Sequence, residues 1–251
     1  MNSSILNFTI RNIIKNLFKQ IGFLIKPLNA TNDESIQFSN YLSLNDVKYV
    51  LDVGANEGQF AKSILRKNSN YKIISIEPIR SCHQELKKQS KNFKNWIIYK
   101  KEVAISNTKT LKNFFITKSN HSSSLLSPIN SDNLDERISK AHQVVEKMKI
   151  NTITIKDLLV DTGINPSETC LKLDIQGMEY KVIESLFIDK IKFKIIIIEA
   201  SLEPLYYGEK DFEDLKEILF KNGYKIDIIR DTLISEKNFK TLQLNVCFSL
   251  I

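Results

Sequence analysis

The chain reads as an α/β protein: a doubly wound, mostly parallel sheet with antiparallel C-terminal strands and an N-terminal helical extension. Three observations predict this. Short apolar runs alternate with helical stretches from Lys48 onward, a glycine loop directly follows the first run, and the last two runs have no clear helix between them. The 251 residues are enough for one fair-sized domain. A 42% hydrophobic share beside 26% charged excludes a disordered chain. With only 7 glycines and 5 prolines, collagen-like and linker-like proteins are excluded, and each glycine is informative.

Residues 5–25 place Leu6, Ile10, Ile13, Ile14, Leu17, Phe18, Ile21 and Leu24 at helical spacing, with Arg11, Lys15 and Lys19 on one polar stripe. The charges interrupt any run of about 20 apolar residues, so no membrane span is expected. No clean apolar stretch follows the first basic residue, so no secretory signal is expected either. This helix is expected to pack on the main domain or on a partner subunit in a homo-oligomer. The alternative is peripheral contact with an anionic membrane surface. Residues 27–46, rich in Asn, Ser and Asp, read as a connection, so the chain divides into an extension with linker (1–46) and a main domain (47–251).

Within the main domain, Lys48–Val53 is a buried strand ending at Gly54, and Gln59–Arg66 is a helix. Lys72–Ile76 is a second buried strand stopped by Pro78, and Ser81–Ser90 is a polar helix. Trp96–Ile105 and Leu111–Thr117 read as strands. Residues 118–150 break the rhythm with a Ser/Asn/His loop and a charged helix around Asp135–Lys147, an insertion where substrate specificity usually resides. Leu171–Ile175 and the four isoleucines Ile195–Ile198 fit central strands covered on both faces. Phe212–Phe220 is a helix closed by Asn222–Gly223, and Tyr224–Ile229 and Thr241–Leu250 are the final strands.

The formal charge is +7, but lysines are scattered and acids interleave with them; the longest local excess is Lys87, Lys88, Lys91, Lys94. A nucleic-acid footprint clusters on a face or helix, so no nucleic-acid partner is expected. Cys82, Cys170 and Cys247 are odd in number with no CxxC. That argues against a disulfide framework or zinc cluster and for a reducing, cytoplasmic compartment.

The strongest local signal is Asp52-Val53-Gly54-Ala55-Asn56-Glu57-Gly58-Gln59-Phe60, two glycines between a buried strand and a helix. Such a loop allows close backbone approach to a ligand and offers helix N-terminal amides to an anionic group. About 20 residues on, a second strand ends in Glu77, placed to accept both hydroxyls of a ribose. The loop is not GxGxxG, and Glu57 is a poor neighbour for a pyrophosphate. It tolerates a ligand with one carboxylate, one ammonium and a sulfonium, which favours S-adenosylmethionine over NAD.

Several blocks fall in order along the chain. They are Asp52–Gly58; Ile76-Glu77-Pro78; Val103-Ala104-Ile105-Ser106; Ser122–Leu126; Thr154–Leu159; Leu171–Tyr180; and Ile198-Glu199-Ala200-Ser201 continuing to Gly208-Glu209. Together they resemble the FkbM family of methyltransferases over roughly residues 48–228. The resemblance implies a class I, Rossmann-like fold, S-adenosylmethionine as methyl donor, and O-methylation of sugars or polyketide-type natural products. It implies that the Gly54–Gly58 loop, with Asp52, Ala55, Asn56, Gln59 and Phe60, faces the methionine and ribose. Glu77 and Pro78 would lie at the ribose, Glu102, Val103 and Ala104 at the adenine, and Asp174 at the methyl end. Lys156 departs from the family, which commonly has an acid there; this weakens any role for Asp157.

Asp174 closes a buried strand at the sheet's carboxyl edge. It is a candidate to orient or deprotonate the acceptor, the alternative being a cap for the helix near Met178. Glu199 ends the isoleucine strand, where an isolated carboxylate is costly unless paired or at a cleft, and is the second candidate. His121 is the third. His83 and His142 read as surface residues, and Glu179 as an exposed acid favoured by the helix dipole. Asp174, Glu199 and His121 could ligate a metal, but no HxxxH or tight acid cluster supports one, so a metal is left unassigned. Tyr206 and Tyr207 could stack on a sugar or simply pack their loop. The expected function is O-methylation of a sugar hydroxyl in polysaccharide or glycoconjugate assembly. The alternatives are a small natural-product or lipid acceptor, or a non-catalytic binding module, which would have no need for Gly54, Gly58 and Glu77.

Overall fold

The computed structural model describes residues 34–130 and 134–251. The helix expected over residues 5–25 lies outside the described residues. In chain order the elements are α1 (Glu34–Leu44), β1 (Tyr49–Val53), α2 (Gln59–Lys67), β2 (Lys72–Ile76), α3 (Arg80–Ser90), β3 (Trp96–Ile98), β4 (Ala104–Ile105) and β5 (Leu111–Thr117). There follow α4 (Glu136–His142), β6 (Val144–Ile153), α5 (Ile155–Thr162), β7 (Thr169–Leu173), α6 (Glu179–Ile188), β8 (Ile195–Ser201), α7 (Phe212–Lys221), β9 (Tyr224–Ile234) and β10 (Thr241–Leu250).

Seven strands form one sheet in the order β3-β2-β1-β7-β8-β10-β9. Pairings from β3 to β8 are parallel, and β10 runs antiparallel to both β8 and β9. The isoleucine run shows why both faces need covering. Ile196 and Ile198 pack with Val182, Ile183, Leu215 and Leu219 of α6 and α7, whereas Ile195 and Ile197 share a core with Phe38, Leu42 and Ile64 of α1 and α2. The carboxyl ends of β1, β2, β7 and β8 therefore open along one edge, with reversal of strand order beside β1, where ligands bind in such sheets. A second sheet, β4-β6-β5, contributes Ala104, Ile105 and Phe114 to the cleft at that edge.

The structure differs from the sequence expectation in several elements. Residues 34–44, read as connection, form α1, whose Phe38 and Leu42 are buried. Trp96–Ile105 is two strands in two sheets, because Lys100-Lys101-Glu102 cannot cross a buried sheet and turns the chain outward. The charged helix of the insertion stops at His142. From Val144 the chain is strand, paired antiparallel with β5, and its alternating Lys147 and Lys149 belong to a first half, residues 144–149, that is exposed throughout. Finally β8 extends to Ser201 and β9 to Ile234.

Candidate active site

Gly54 begins the site. Its φ is +78°, and a Cβ there would lie 1.8 Å from the Asp174 carbonyl oxygen, so only glycine lets the tips of β1 and β7 meet. Gly58 (φ +89°) is reserved differently: a Cβ would lie 2.4 Å from the Trp96 ring. Between them, Asn56 turns with φ +48° and its amide donates to Glu77 Oε2 at 2.8 Å.

Each strand-tip loop on this edge is tied by a buried glutamate accepting two backbone N–H groups. Glu77 after β2 holds Asn56 and Ile79, Glu179 after β7 holds Ile175 and Gly177, and Glu209 after β8 holds Leu205 and Tyr206. Burial pushes the carboxyl of Glu77 up to about 7 and that of Glu179 up to about 8. Glu179 is thus 4% exposed, not the exposed acid expected. It also stands where the alternative had put Asp174: no side chain caps α6, and Glu179 stitches the preceding turn. Of the three glutamates, only Glu77 also lines the cleft beside β1, each oxygen keeping a free acceptor direction.

A polar relay crosses four strands beneath the edge. The Trp96 indole donates to Ser75 Oγ (2.9 Å), Ser75 donates to Asp52 Oδ2 (3.1 Å), and the Lys172 ammonium lies 3.7 Å from Asp52 Oδ1 and 3.0 Å from Asp174 Oδ2. Lys172 also sits over the Phe60 ring, 5.4 Å from its centroid. Burial works to neutralise Lys172, but Asp174 and Asp52 outweigh it and hold its proton more tightly than usual. Burial likewise opposes ionisation of Asp174, yet Lys172 and the Gln176 amide keep its carboxyl below the usual range. Burial pushes Asp52 up, with Lys172 working the other way, and pushes Glu199 well up, reinforced by the nearby Asp174 charge.

Gln176 joins the two candidate acids. Its backbone is left-handed (φ +56°), and its amide nitrogen donates to Asp174 Oδ1 (2.7 Å) and Glu199 Oε2 (2.8 Å). Its amide oxygen lies 2.9 Å from the Tyr206 hydroxyl, which fixes which end of the amide faces the acids. Tyr206 is fully buried and packs its loop, whereas Tyr207 is 62% exposed.

Three clefts meet here, and the residues common to all three are Asp174 and His121. The first runs from Gly54, Asn56, Glu77 and Pro78 to an apolar slot with Val103, Ala104 and Phe114. The second contains Ala55, Gln59, Phe60 and Lys172. The third is polar and carries Gln176, Glu199, His142, Arg137 and Gln243. Most of the expected cofactor residues therefore line one of the first two. Asp52 lies fully buried behind them in the relay, Gly58 packs on Trp96, and Glu102 points to His83, 3.8 Å away. Ser123 and Ser124 serve the loop, receiving the amides of Thr117 and Leu126. Asp157 closes a capping box with Thr154 at the start of α5. His83 and His142, expected at the surface, are 0% and 4% exposed, and His83 bonds the Tyr99 carbonyl. Lys172, Gln176 and His142 escaped sequence reasoning; Lys172 and Gln176 stand inside a motif block, which was the available signal. No three metal-capable side chains come together among the described residues.

A nucleoside with a charged tail fits the first cleft. Gly54 and Asn56 line it at the β1 tip, Glu77 offers paired acceptors to a diol, and the far end is apolar enough for a purine. This edge defines a nucleoside-binding enzyme of the doubly wound class. Residues 52–226 match the model of the Methyltransferase FkbM domain, and the chain belongs to that family. It is a class I, Rossmann-like methyltransferase that uses S-adenosylmethionine. Solved structures of similar fold include precorrin-6y C5,15-methyltransferase from Geobacter metallireducens, with 12% identity, TM-score 0.46, and coverage of 90% of this chain and 91% of that one. A SAM dependent methyltransferase from Aquifex aeolicus shows 11% identity and TM-score 0.44, over 94% and 98% of the two chains. The fibrillarin pre-rRNA processing protein of Methanococcus jannaschii shows 12% identity and TM-score 0.45, over 82% and 67%. A search of curated proteins finds no match.

Proposed function

We propose that the chain moves the methyl group to a sugar hydroxyl, an O-methylation in polysaccharide or glycoconjugate assembly. The observation that carries this reading is the junction at Asp174: the nucleoside cleft meets a cleft whose polar side chains include Gln176, Glu199, Arg137 and Gln243. Three buried, unpaired cysteines fit a reducing compartment such as the cytoplasm.

When bound, S-adenosylmethionine supplies a methyl group on a sulfonium centre. Asp174, kept ionised by Lys172 and 30% exposed, accepts a hydrogen bond from the acceptor hydroxyl and aims its oxygen at the methyl carbon. Alignment of this kind provides most of the gain in a displacement with a good leaving group. Glu199, whose ionisation burial and the nearby Asp174 charge oppose, stands beside it as a hydrogen-bond partner for a neighbouring sugar oxygen. Gln176, anchored by Tyr206, keeps the two acids at a fixed separation.

The test is binding of S-adenosylmethionine by calorimetry, followed by transfer of labelled methyl to a panel of methyl glycosides and nucleotide sugars. Labelled sugar is the expected product. Tight binding with label appearing only in lipid or RNA would replace the sugar by that acceptor, and absence of both binding and transfer would leave a non-catalytic module.

A further inference from the structure

We propose that Tyr206 is a positioning residue for methyl transfer: its hydroxyl, fixed from one side by the 118–150 insertion, sets the Gln176 amide that orients Asp174 and Glu199. The inference rests on the roles given to those two acids above. The phenol is fully buried, and the His142 ring lies on it with centroids 5.4 Å apart. Phenylalanine would fill the same space, so packing does not account for the oxygen, which costs free energy to bury unless it is hydrogen-bonded. Two acceptors stand at equal distance from it, the Ser122 carbonyl oxygen and Gln176 Oε1, both at 2.9 Å. A phenol carries one hydrogen, so the two oxygens share it.

The backbone of the β7 tip is held without Tyr206. Glu179 accepts the amides of Ile175 and Gly177, and Ser124 Oγ donates to the Gln176 carbonyl at 2.6 Å. The Gln176 side chain is the exception. Its Nε2 faces Asp174 at 2.7 Å and Glu199 at 2.8 Å, and among the described residues the Tyr206 hydroxyl is the single donor to its Oε1. Without that donor the amide can turn over, since its two ends are alike in shape. Its oxygen would then face two carboxyl groups with no hydrogen to offer either, and the acids would be pushed apart.

The insertion in turn locates the hydroxyl. Tyr207 N donates to the Ser127 carbonyl (2.9 Å) and Ile129 N to the Leu205 carbonyl (2.8 Å), so residues 127–129 run beside residues 205–207, and Ser122 meets the phenol itself. On the other side, a Cβ on Gly177 would lie 3.2 Å from the Tyr206 Cβ, so the glycine turn lets Tyr206 seat against the β7 tip. Order passes from insertion to phenol, from phenol to amide and from amide to acids. The acceptor end of the site is therefore complete only with the insertion docked.

The experiment measures initial rates with S-adenosylmethionine and methyl glycosides for wild type, Tyr206→Phe, Gln176→Asn and the double variant. Asn suits the left-handed backbone at position 176 (φ +56°), and its shorter side chain cannot reach both acids and the phenol. Tyr206→Phe should lower kcat about 10- to 100-fold, the scale of a misplaced reacting group, with unchanged affinity for S-adenosylmethionine. Gln176→Asn should lose at least as much, and the double variant no more than Gln176→Asn alone, because both changes act through one amide. Losses that multiply, or a full rate in Tyr206→Phe, overturn the assignment. Should Tyr206→Phe not fold, NMR of the wild type decides. A Tyr206 hydroxyl proton slow enough in exchange to be seen, with no cross-peak between the Gln176 amide protons and the Tyr206 ring, is expected. Such a cross-peak, or a hydroxyl proton lost to exchange, rejects it. Wild type that binds the methyl donor but labels no glycoside removes the sugar reading instead, and the NMR contacts then decide the role of Tyr206.

Discussion

Glu77 ties two loops together and faces the nucleoside cleft with the same carboxylate, and this double duty has a pH signature. Its folded value is about 7 against an ordinary 4.5, because burial disfavours its charge. The sign for stability follows: the contribution is fully present below the ordinary value and is lost as pH rises through about 7. Affinity for S-adenosylmethionine should move the opposite way. A ribose diol donating to Glu77 favours the carboxylate, so binding should tighten as pH rises through about 7 and level off above it. Calorimetry in two buffers of different ionisation enthalpy reads this directly as proton release, and affinity that does not change with pH would remove Glu77 from the ribose. Substitution Glu77→Ala should weaken binding roughly 10- to 100-fold, the worth of hydrogen bonds to a charged acceptor. The sequence made Glu77 visible because one carboxylate closing a short apolar run is conspicuous. It hid Glu179, Glu209 and His142, because burial of a polar side chain depends on what packs over it from elsewhere in the chain.

The strand-tip loops carry a second contrast, between two glycines with similar backbone angles. Gly54 (φ +78°) has the Asp174 carbonyl where a Cβ would stand, whereas Gly163 (φ +67°), at the C-terminal end of α5, has nothing within 4 Å. Gly163→Ala should cost only the left-handed penalty of about 1–2 kcal/mol. Gly54→Ala must in addition part β1 from β7, so its loss in urea denaturation should exceed that of Gly163→Ala, with binding of the methyl donor abolished. Equal losses in the two variants would show that the β1–β7 approach is not essential. The relay under these loops yields a companion expectation. Lys172→Met leaves Asp174 and Asp52 without their buried counter-charge and should cost about 3–5 kcal/mol by the same denaturation assay. Strands buried on both faces were readable from runs such as Ile195–Ile198, since no other element explains four successive β-branched residues. The helix α1 and the strand β6 were not readable: α1 has a weak apolar face, and the first six residues of β6 are all exposed, so no hydrophobic period marks the start of the strand.

For the molecule as a whole, the buried acids alter what the charge count means. The formal +7 takes all 29 acids as ionised, yet burial pushes Glu179 up to about 8 and Glu199 well up. The folded chain is therefore more basic at neutral pH than its sequence states, which makes salt dependence the sharpest test of the acceptor class. Many surface charges are locally neutralised, as in Lys88–Glu85, Lys210–Asp214 and Lys221–Glu217, each pair three or four residues apart. A protein that neutralises 6–10 phosphates loses roughly 10³- to 10⁵-fold in affinity between 50 and 200 mM salt, because it releases a counterion at each. A neutral sugar releases none. The KM for a methyl glycoside acceptor should accordingly change by less than about twofold across that range, in initial-rate assays at saturating methyl donor. A nucleotide sugar, with two phosphates, should show a shallow slope. A steep slope would mean that the basic surface engages a polyanion, and the polar cleft beside Asp174 would then be receiving a ribose or base of RNA in place of a glycan.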